Sequence, residues 1–372
     1  MIKSRSKPDY ILIFIVVLLL LLGIMILADV SAVFSQEQFG KPTYYLFHQI
    51  IFGILPGLIL GFFAFKLNLD FIKKWSLFFV LISLVLMSLV FIPQFGITSW
   101  GARRWLNFSI FSFQPSELLK LSFIIYLSSW LAKRVKRASY KKEDNWKFTF
   151  LPFLFIASLI TILLAFQKNL STLLIILTTG GVIYFISGTP FIQTFLMFNG
   201  VLLISFFLIK YFPYRIERIL IIFNPLRDPM GLGYQLKQSL IAIGSGGLLG
   251  LGLGMSVQKF GFLPQIMSDS IFSIYAEETG FIGSLFLIIL FLLFFLRGIK
   301  IAKRADDAFC RLYSIGVIFW ICSQAFVNIG AMIGIMPLTG VPLPFIGYGG
   351  SHIVVELIAV GILLNISKNV YK

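Results

Sequence analysis

Long apolar runs joined by short polar connectors set the architecture of this chain. Ten such runs can be read, at 10–28, 44–65, 75–92, 115–132, 149–166, 172–187, 190–210, 271–296, 309–330 and 349–366. Most approach the ~20 residues a helix needs to cross a bilayer; 172–187 is the short one, closely flanked by its neighbours. The pattern predicts an all-α, polytopic integral membrane protein. It forms a single transmembrane domain over 1–372 with about ten transmembrane helices and a large extracytoplasmic loop between the seventh and eighth. The first run follows Lys3, Arg5 and Lys7 and ends near Ser31 and Ala32, superficially like a secretory signal. Its apolar core is too long for one, so it reads as an uncleaved first helix.

One stretch breaks the pattern: residues 233–283, GYQLKQSLIAIGSGGLLGLGLGMSVQKFGFLPQIMSDSIFSIYAEETGFIG. Non-helical backbone in a membrane protein is tolerated at the water interface or around a cavity, and ionisable groups at membrane depth are functional by default. Asp269 sits where this loop joins the next apolar helix, and Glu277 and Glu278 follow along that helix.

Composition agrees, at 58% hydrophobic and 12% charged, which excludes an ordinary soluble globule. Orientation follows from where the basic residues fall, and the net charge of +16 does not call for nucleic acid. With ten spans and an internal N-terminus, most of the 31 lysines and arginines fall inside, as the positive-inside tendency requires. If the glycine-rich piece 238–256 crossed, Arg297 to Arg311 and the C-terminal lysines would move outside. That crossing is rejected, and 93–114, 211–270 and 331–348 are expected on the outer face. Basic loops beside anionic lipid headgroups account for the charge, so membrane lipids are partners and nucleic acid is not. Cys310 and Cys322 imply no disulfide framework.

Three clusters occur in order along the chain. The first is Trp100-Gly101-Ala102-Arg103-Arg104-Trp105 with Gln114-Pro115-Ser116-Glu117-Leu118-Leu119-Lys120. The second is 233–283. The third is Asn328-Ile329-Gly330, then 337–351, PLTGVPLPFIGYGGS, closing with Leu363-Leu364-Asn365-Ile366-Ser367. Together they resemble the SEDS (shape, elongation, division, sporulation) family, and the GARRW and AEETGFIG forms look more like its division branch than its elongation branch. The resemblance implies a peptidoglycan glycosyltransferase that polymerises lipid II at the outer face of a bacterial cytoplasmic membrane. It also implies a class B penicillin-binding transpeptidase as partner and other divisome proteins nearby, while the basic-residue asymmetry places the N- and C-termini on the cytoplasmic side. The family's aspartate lies in an L-P-x-x-x-x-D pattern, matched by Leu263, Pro264 and Asp269. Where the family reads P-D-x-G-T, this chain has Lys168-Asn169-Leu170-Ser171-Thr172, so 168–171 inherit no role; Gly347 and His352 replace serines, and 265–268 replace E-A-H-T. The cofactor is unknown, with a divalent cation such as Mg2+ or Mn2+ left open.

Extending a glycan by displacing a pyrophosphate-linked lipid needs a base near the acceptor hydroxyl and positive charge near the departing pyrophosphate. Asp269 is the expected general base, since burial at the membrane boundary raises a carboxyl pKa; its alternative is an N-cap for the eighth helix. Glu277 lies roughly 12 Å along and about 80° around a continuous helix from Asp269. That exceeds the ~5–9.5 Å of glycosidase carboxylate pairs, so Glu277 and Glu278 read as hydrogen-bonding groups inside the bundle. Glu117 and Lys120, spaced i,i+3 in an apolar span, read as a pair lining a substrate cavity or as a structural ion pair. Arg103 and Arg104 read as pyrophosphate ligands or as an interfacial anchor. Gln258 and Lys259 are the preferred contacts to the leaving group or acceptor lipid. The glycines at 244–254 match no phosphate loop and predict close or re-entrant packing. Gln324 and Asn328 share a helix face, as do His352 and Glu356, the latter expected to hydrogen-bond locally; two ligands are too few for a metal. A lipid II flippase and a non-catalytic scaffold for the transpeptidase are the competing functions.

Overall fold

In the computed structural model the described residues are 7–99, 102–108, 112–135, 146–211 and 213–370. Each of the ten apolar runs coincides with a helical unit. These are α1 (Tyr10–Phe39), α2 (Tyr44–Lys66), α3 (Leu69–Leu89), α4 (Pro115–Val135), α5 (Trp146–Phe166), α6 (Leu170–Ile186), α7 (Phe191–Tyr211), α10 (Ile271–Arg304), α11 (Ala308–Met332) and α12 (Gly350–Val370). Two shorter helices, α8 (Pro213–Phe223) and α9 (Leu232–Ser245), lie between α7 and α10. Among the described residues, seven units are long and apolar enough to span by themselves. Of the others, α4 carries Glu117 and Lys120, and α6 is short. The molecule is a multi-pass membrane protein. The basic connector 136–145, Trp100 and Gly101 lie outside the described residues.

Local chemistry fixes the ends of these helices. Asp9 caps α1 by accepting from the Leu12 amide at 3.0 Å, and Gly40, at φ 66°, ends it in the left-handed conformation. In α2 the small residues Gly53, Gly57 and Gly61 recur every fourth position and let its backbone lie on α12. A Cβ at Gly57 or Gly61 would come within 2.7 Å of Leu357. The interior is centred on α11, whose Tyr313 and Trp320 are fully buried, whereas α1 to α3 present apolar side chains such as Phe14, Phe62 and Val85 outward. That distribution suits lipid as the surrounding solvent.

Hydropathy had not disclosed the three-stranded antiparallel sheet between α3 and α4. Strand β2 (Ala102–Asn107) lies between β1 (Gly96–Ser99) and β3 (Ser112–Phe113), with Leu106 opposite both Gly96 and Phe113.

The glycine-rich run has a specific task. The 14 residues of α9 are too few for a span, and glycine turns follow it. Helix α10 is interrupted at Gly280, with φ 67° and ψ −163°. The backbone groups released there pair with the run. Phe281 N donates to Gly247 O at 2.9 Å, Ile282 N to Leu248 O at 3.2 Å, Leu251 N to Glu277 O at 3.0 Å and Gly252 N to Glu278 O at 3.0 Å. Such contact needs bare backbone on both sides, and a Cβ at Gly250 would run into the Glu278 carbonyl. The close packing expected of 244–254 is present, and it satisfies the backbone groups freed by the helix break.

Candidate active site

Asp269 stands at the end of a tightly tied loop. Gln265, at φ 54°, turns the chain so that its carbonyl accepts from Ser268 N at 3.2 Å and Ser270 N at 3.1 Å. Tyr348 N donates to Met267 O at 2.7 Å, Gln235 Nε2 to Ser270 Oγ at 3.0 Å, and Asn328 Nδ2 to the Asp269 carbonyl at 2.8 Å. The N-cap role that was the alternative for Asp269 is absent: the cap position of α10 is Ser270, with no side-chain capping bond. Asp269 is half-buried as a residue, and its carboxyl lies beside Gly340, whose missing Cβ would lie 3.4 Å from Oδ2. Burial pushes this carboxyl up to about 6, against the opposing pull of a Ser268 hydrogen bond and of the Arg218 and Arg104 charges.

The two guanidiniums reach this place from separate elements. Arg104, on β2, donates Nε to Gln167 O at 3.2 Å and Nη2 to Lys168 O at 2.5 Å. Arg218, on α8, donates Nη1 to Leu338 O at 2.9 Å. Ser171 Oγ donates to Thr339 O at 2.8 Å, so the turn at 167–171 and the strap at 338–342 meet beside Asp269. Arg103 takes the other side of β2, as strand alternation requires, and its Nη1 donates to Phe91 O at 3.2 Å. Of the arginine pair read from sequence, Arg104 therefore faces Asp269 and Arg103 does not.

The remaining expected site residues are engaged elsewhere. Lys259 Nζ donates to Asp29 Oδ1 at 2.7 Å, to Gly254 O at 2.7 Å and to Glu278 Oε1 at 3.2 Å, which occupies all three of its hydrogens. Gln258 is buried, and its Oε1 has no partner among the described residues. Glu277 accepts from Ser256 Oγ and, at 3.1 Å, from Val257 N, the interior bonding role expected of it. Glu117 and Lys120 pair at 2.7 Å, and Lys120 also donates to Gln324 Oε1 at 2.7 Å and lies 5.0 Å from the Trp320 ring. The cavity this pair was expected to line is closed: both side chains are buried, and the gap beside Lys120 leaves no room for water. His352 and Glu356 do not bond to one another. Glu356 Oε2 accepts from Phe345 N at 2.8 Å, because Phe345, at φ 63°, turns its amide inward.

Sequence reasoning missed Arg218 and the turn at 167–171. The former belongs to no quoted motif; its only signal is the charge on the short segment PYRIERILIIF. The turn offers Arg104 main-chain carbonyls, which the side chains at 167 and 168 do not disclose.

Comparison with known proteins covers nearly the whole chain. Residues 10–372 match the FtsW/RodA/SpoVE family, described as cell cycle protein. Stage V sporulation protein E of Bacillus subtilis is 36% identical over 370 residues, covering 99% of both chains. The probable peptidoglycan glycosyltransferase FtsW of Geobacter metallireducens is 35% identical, covering 98% of this chain and 96% of its own. Among solved structures, one described as the structural coordination of polymerization and crosslinking by a peptidoglycan synthase complex superposes with TM-score 0.77 at 25% identity, covering 98% of this chain and 99% of that one. The rod shape determining protein RodA of Thermus thermophilus superposes with TM-score 0.72 at 25% identity, covering 98% of each chain.

Proposed function

Since the chain belongs to the FtsW/RodA/SpoVE family of cell cycle proteins, we propose that it is a peptidoglycan glycosyltransferase that polymerises lipid II, with Asp269 as its general base. The geometry that carries this reading is a loop carboxyl that caps no helix and lies within the influence of two guanidiniums from separate elements, and burial pushes it up to about 6. A base of that strength is deprotonated at neutral pH and still holds a proton well enough to take one from a sugar hydroxyl. The acceptor oxygen then forms its bond to the anomeric carbon of the donor as the bond to the lipid pyrophosphate breaks, and the proton resides on Asp269. Arg104, held on two main-chain carbonyls, and Arg218, held on one, offset the charge that builds on the departing pyrophosphate.

The partner in this reading is a class B penicillin-binding transpeptidase, supported by the likeness to a peptidoglycan synthase complex. Both termini are cytoplasmic, as the basic-residue asymmetry favours. Cysteines placed at Asp269 and Thr339 should then react with an impermeant reagent from outside intact cells, and one at Arg304 should not. Labelling at 304 from outside would reverse the orientation.

The function is tested with purified protein and partner, lipid II, and glycan resolved on a gel. Asp269→Asn should insert, fold and bind lipid II, yet lose roughly 10²–10⁴-fold in polymerisation. Wild-type rates in the variant would remove the base assignment. A wild-type protein that moves lipid II across vesicles without polymerising it would make the chain a flippase.

A further inference from the structure

Two amides on one face of α11 connect the sealed interior pair to the reactive loop. Gln324 and Asn328 are buried to 0% and 1% exposure. Gln324 Oε1 accepts from Lys120 Nζ at 2.7 Å and Trp320 Nε1 at 3.0 Å, which orients its amide so that Nε2 donates to Pro342 O at 3.0 Å. One turn further, Asn328 Nδ2 divides its two hydrogens between Val341 O and the Asp269 carbonyl, each at 2.8 Å. The strap at 341–342 and the Asp269 loop are thereby stitched to the same helix face. Asn328 Oδ1 is buried without a partner among the described residues, so both of its donors serve to hold main chain.

We propose that Asn328 is a positioning residue for Asp269, fixing the peptide that carries the base, and that Gln324 acts with it by holding the strap opposite. This rests on Asp269 being the base. Neither amide touches substrate in this scheme; each acts through the geometry of the loop. The groups that face the Asp269 carboxyl are Arg104 from β2, Arg218 from α8 and Ser268 from its own loop. With the Asn328 bonds gone, the Asp269 peptide relaxes outward, the carboxyl gains water, and its distance from the acceptor hydroxyl increases. An error of ~1 Å can cost about 10²-fold.

The test compares Asn328→Ala, Asn328→Asp and Gln324→Met with wild type and Asp269→Asn, in the protein–partner complex, at matched amounts of folded protein. Asn328→Asp keeps the shape but turns an oxygen on two carbonyls, so whichever Asn328 variant is recovered folded serves. Expected are a ~10–100-fold fall in kcat with KM little changed, and an acid limb of the pH–rate profile displaced from about 6 toward the ordinary aspartate value of about 3.9. Gln324→Met should show the same direction with a smaller change. A fall in kcat with the limb unmoved would overturn the proposal in favour of a structural role, and unchanged kcat would overturn it outright. Full activity in Asp269→Asn would instead remove the base assignment beneath it, so the two failures are distinguishable.

Discussion

Asp269 and Lys259 lie ten residues apart on the same loop and have opposite circumstances. Burial works against the charge of Lys259, yet bonding to Asp29 and the Glu278 charge beside it hold the ammonium above its ordinary value, with every donor occupied. At Asp269 burial prevails over Arg218 and Arg104, so the charged form is the disfavoured one. Lys259 is a clasp joining α1, the glycine-rich run and the broken helix α10. Asp269 is a group whose proton can be exchanged at neutral pH. In a chain this apolar, an ionisable residue does not by itself mark chemistry; what decides is whether its bonding capacity is already filled.

The largest loss of stability is expected at the other filled cluster, Glu117 with Lys120. Lys120→Ala strands Glu117 in the interior, and a broken buried pair costs about 3–5 kcal/mol. Thermal melting and membrane abundance should both fall sharply, whereas Lys133→Ala, at the end of α4, should leave both near wild type. Equal stability of the two variants would remove the sealed pair from the account.

Arg104→Ala should lower glycan synthesis by roughly 10²-fold at matched folded protein, the scale of losing one positioned donor. Arg103→Ala should stay within about threefold, because its fork points to Phe91. A reversal of these two results would place the pyrophosphate on the other face of the sheet.

The smallest effect is in the pH dependence, and it divides activity from stability. Polymerisation should decline as pH falls through about 6, where the Asp269 carboxyl takes a proton. Stability should move the other way. Because the folded pKa exceeds the unfolded one, the folded state binds more protons between about 4 and about 6. Stability is therefore gained as pH falls across that window, by at most ~1.4 kcal/mol per unit and less for a partly exposed group. Melting of wild type and Asp269→Asn across this range measures it; identical pH slopes would mean that the carboxyl is not perturbed.

Much of the fold was legible because hydropathy reports on each span separately, and the ten runs became ten helical units. The sheet was not, since Ala102–Asn107 offers too short an alternation and its partners are shorter still. The glycine run was legible as close packing but not as the partner of Gly280, because pairing across about thirty residues leaves no local periodicity. Asp269 was singled out through its motif. That Arg104 rather than Arg103 lies near it needed the strand's orientation, the nearness of Arg218 needed the docking of α8, and the three filled donors of Lys259 are invisible in sequence.

The most direct measurement sets Asp269→Asn beside Lys259→Met in one preparation, recording melting temperature and glycan synthesis per folded molecule. The account predicts that Asp269→Asn melts no lower than wild type at neutral pH, since it sheds a carboxyl that burial disfavours as a charge, and synthesises roughly 10²–10⁴-fold less glycan. Lys259→Met should melt lower, because Glu278 is left without its cation, and should polymerise within a few-fold of wild type once folded protein is equalised. A stable, inactive Lys259→Met beside an active Asp269→Asn would contradict it.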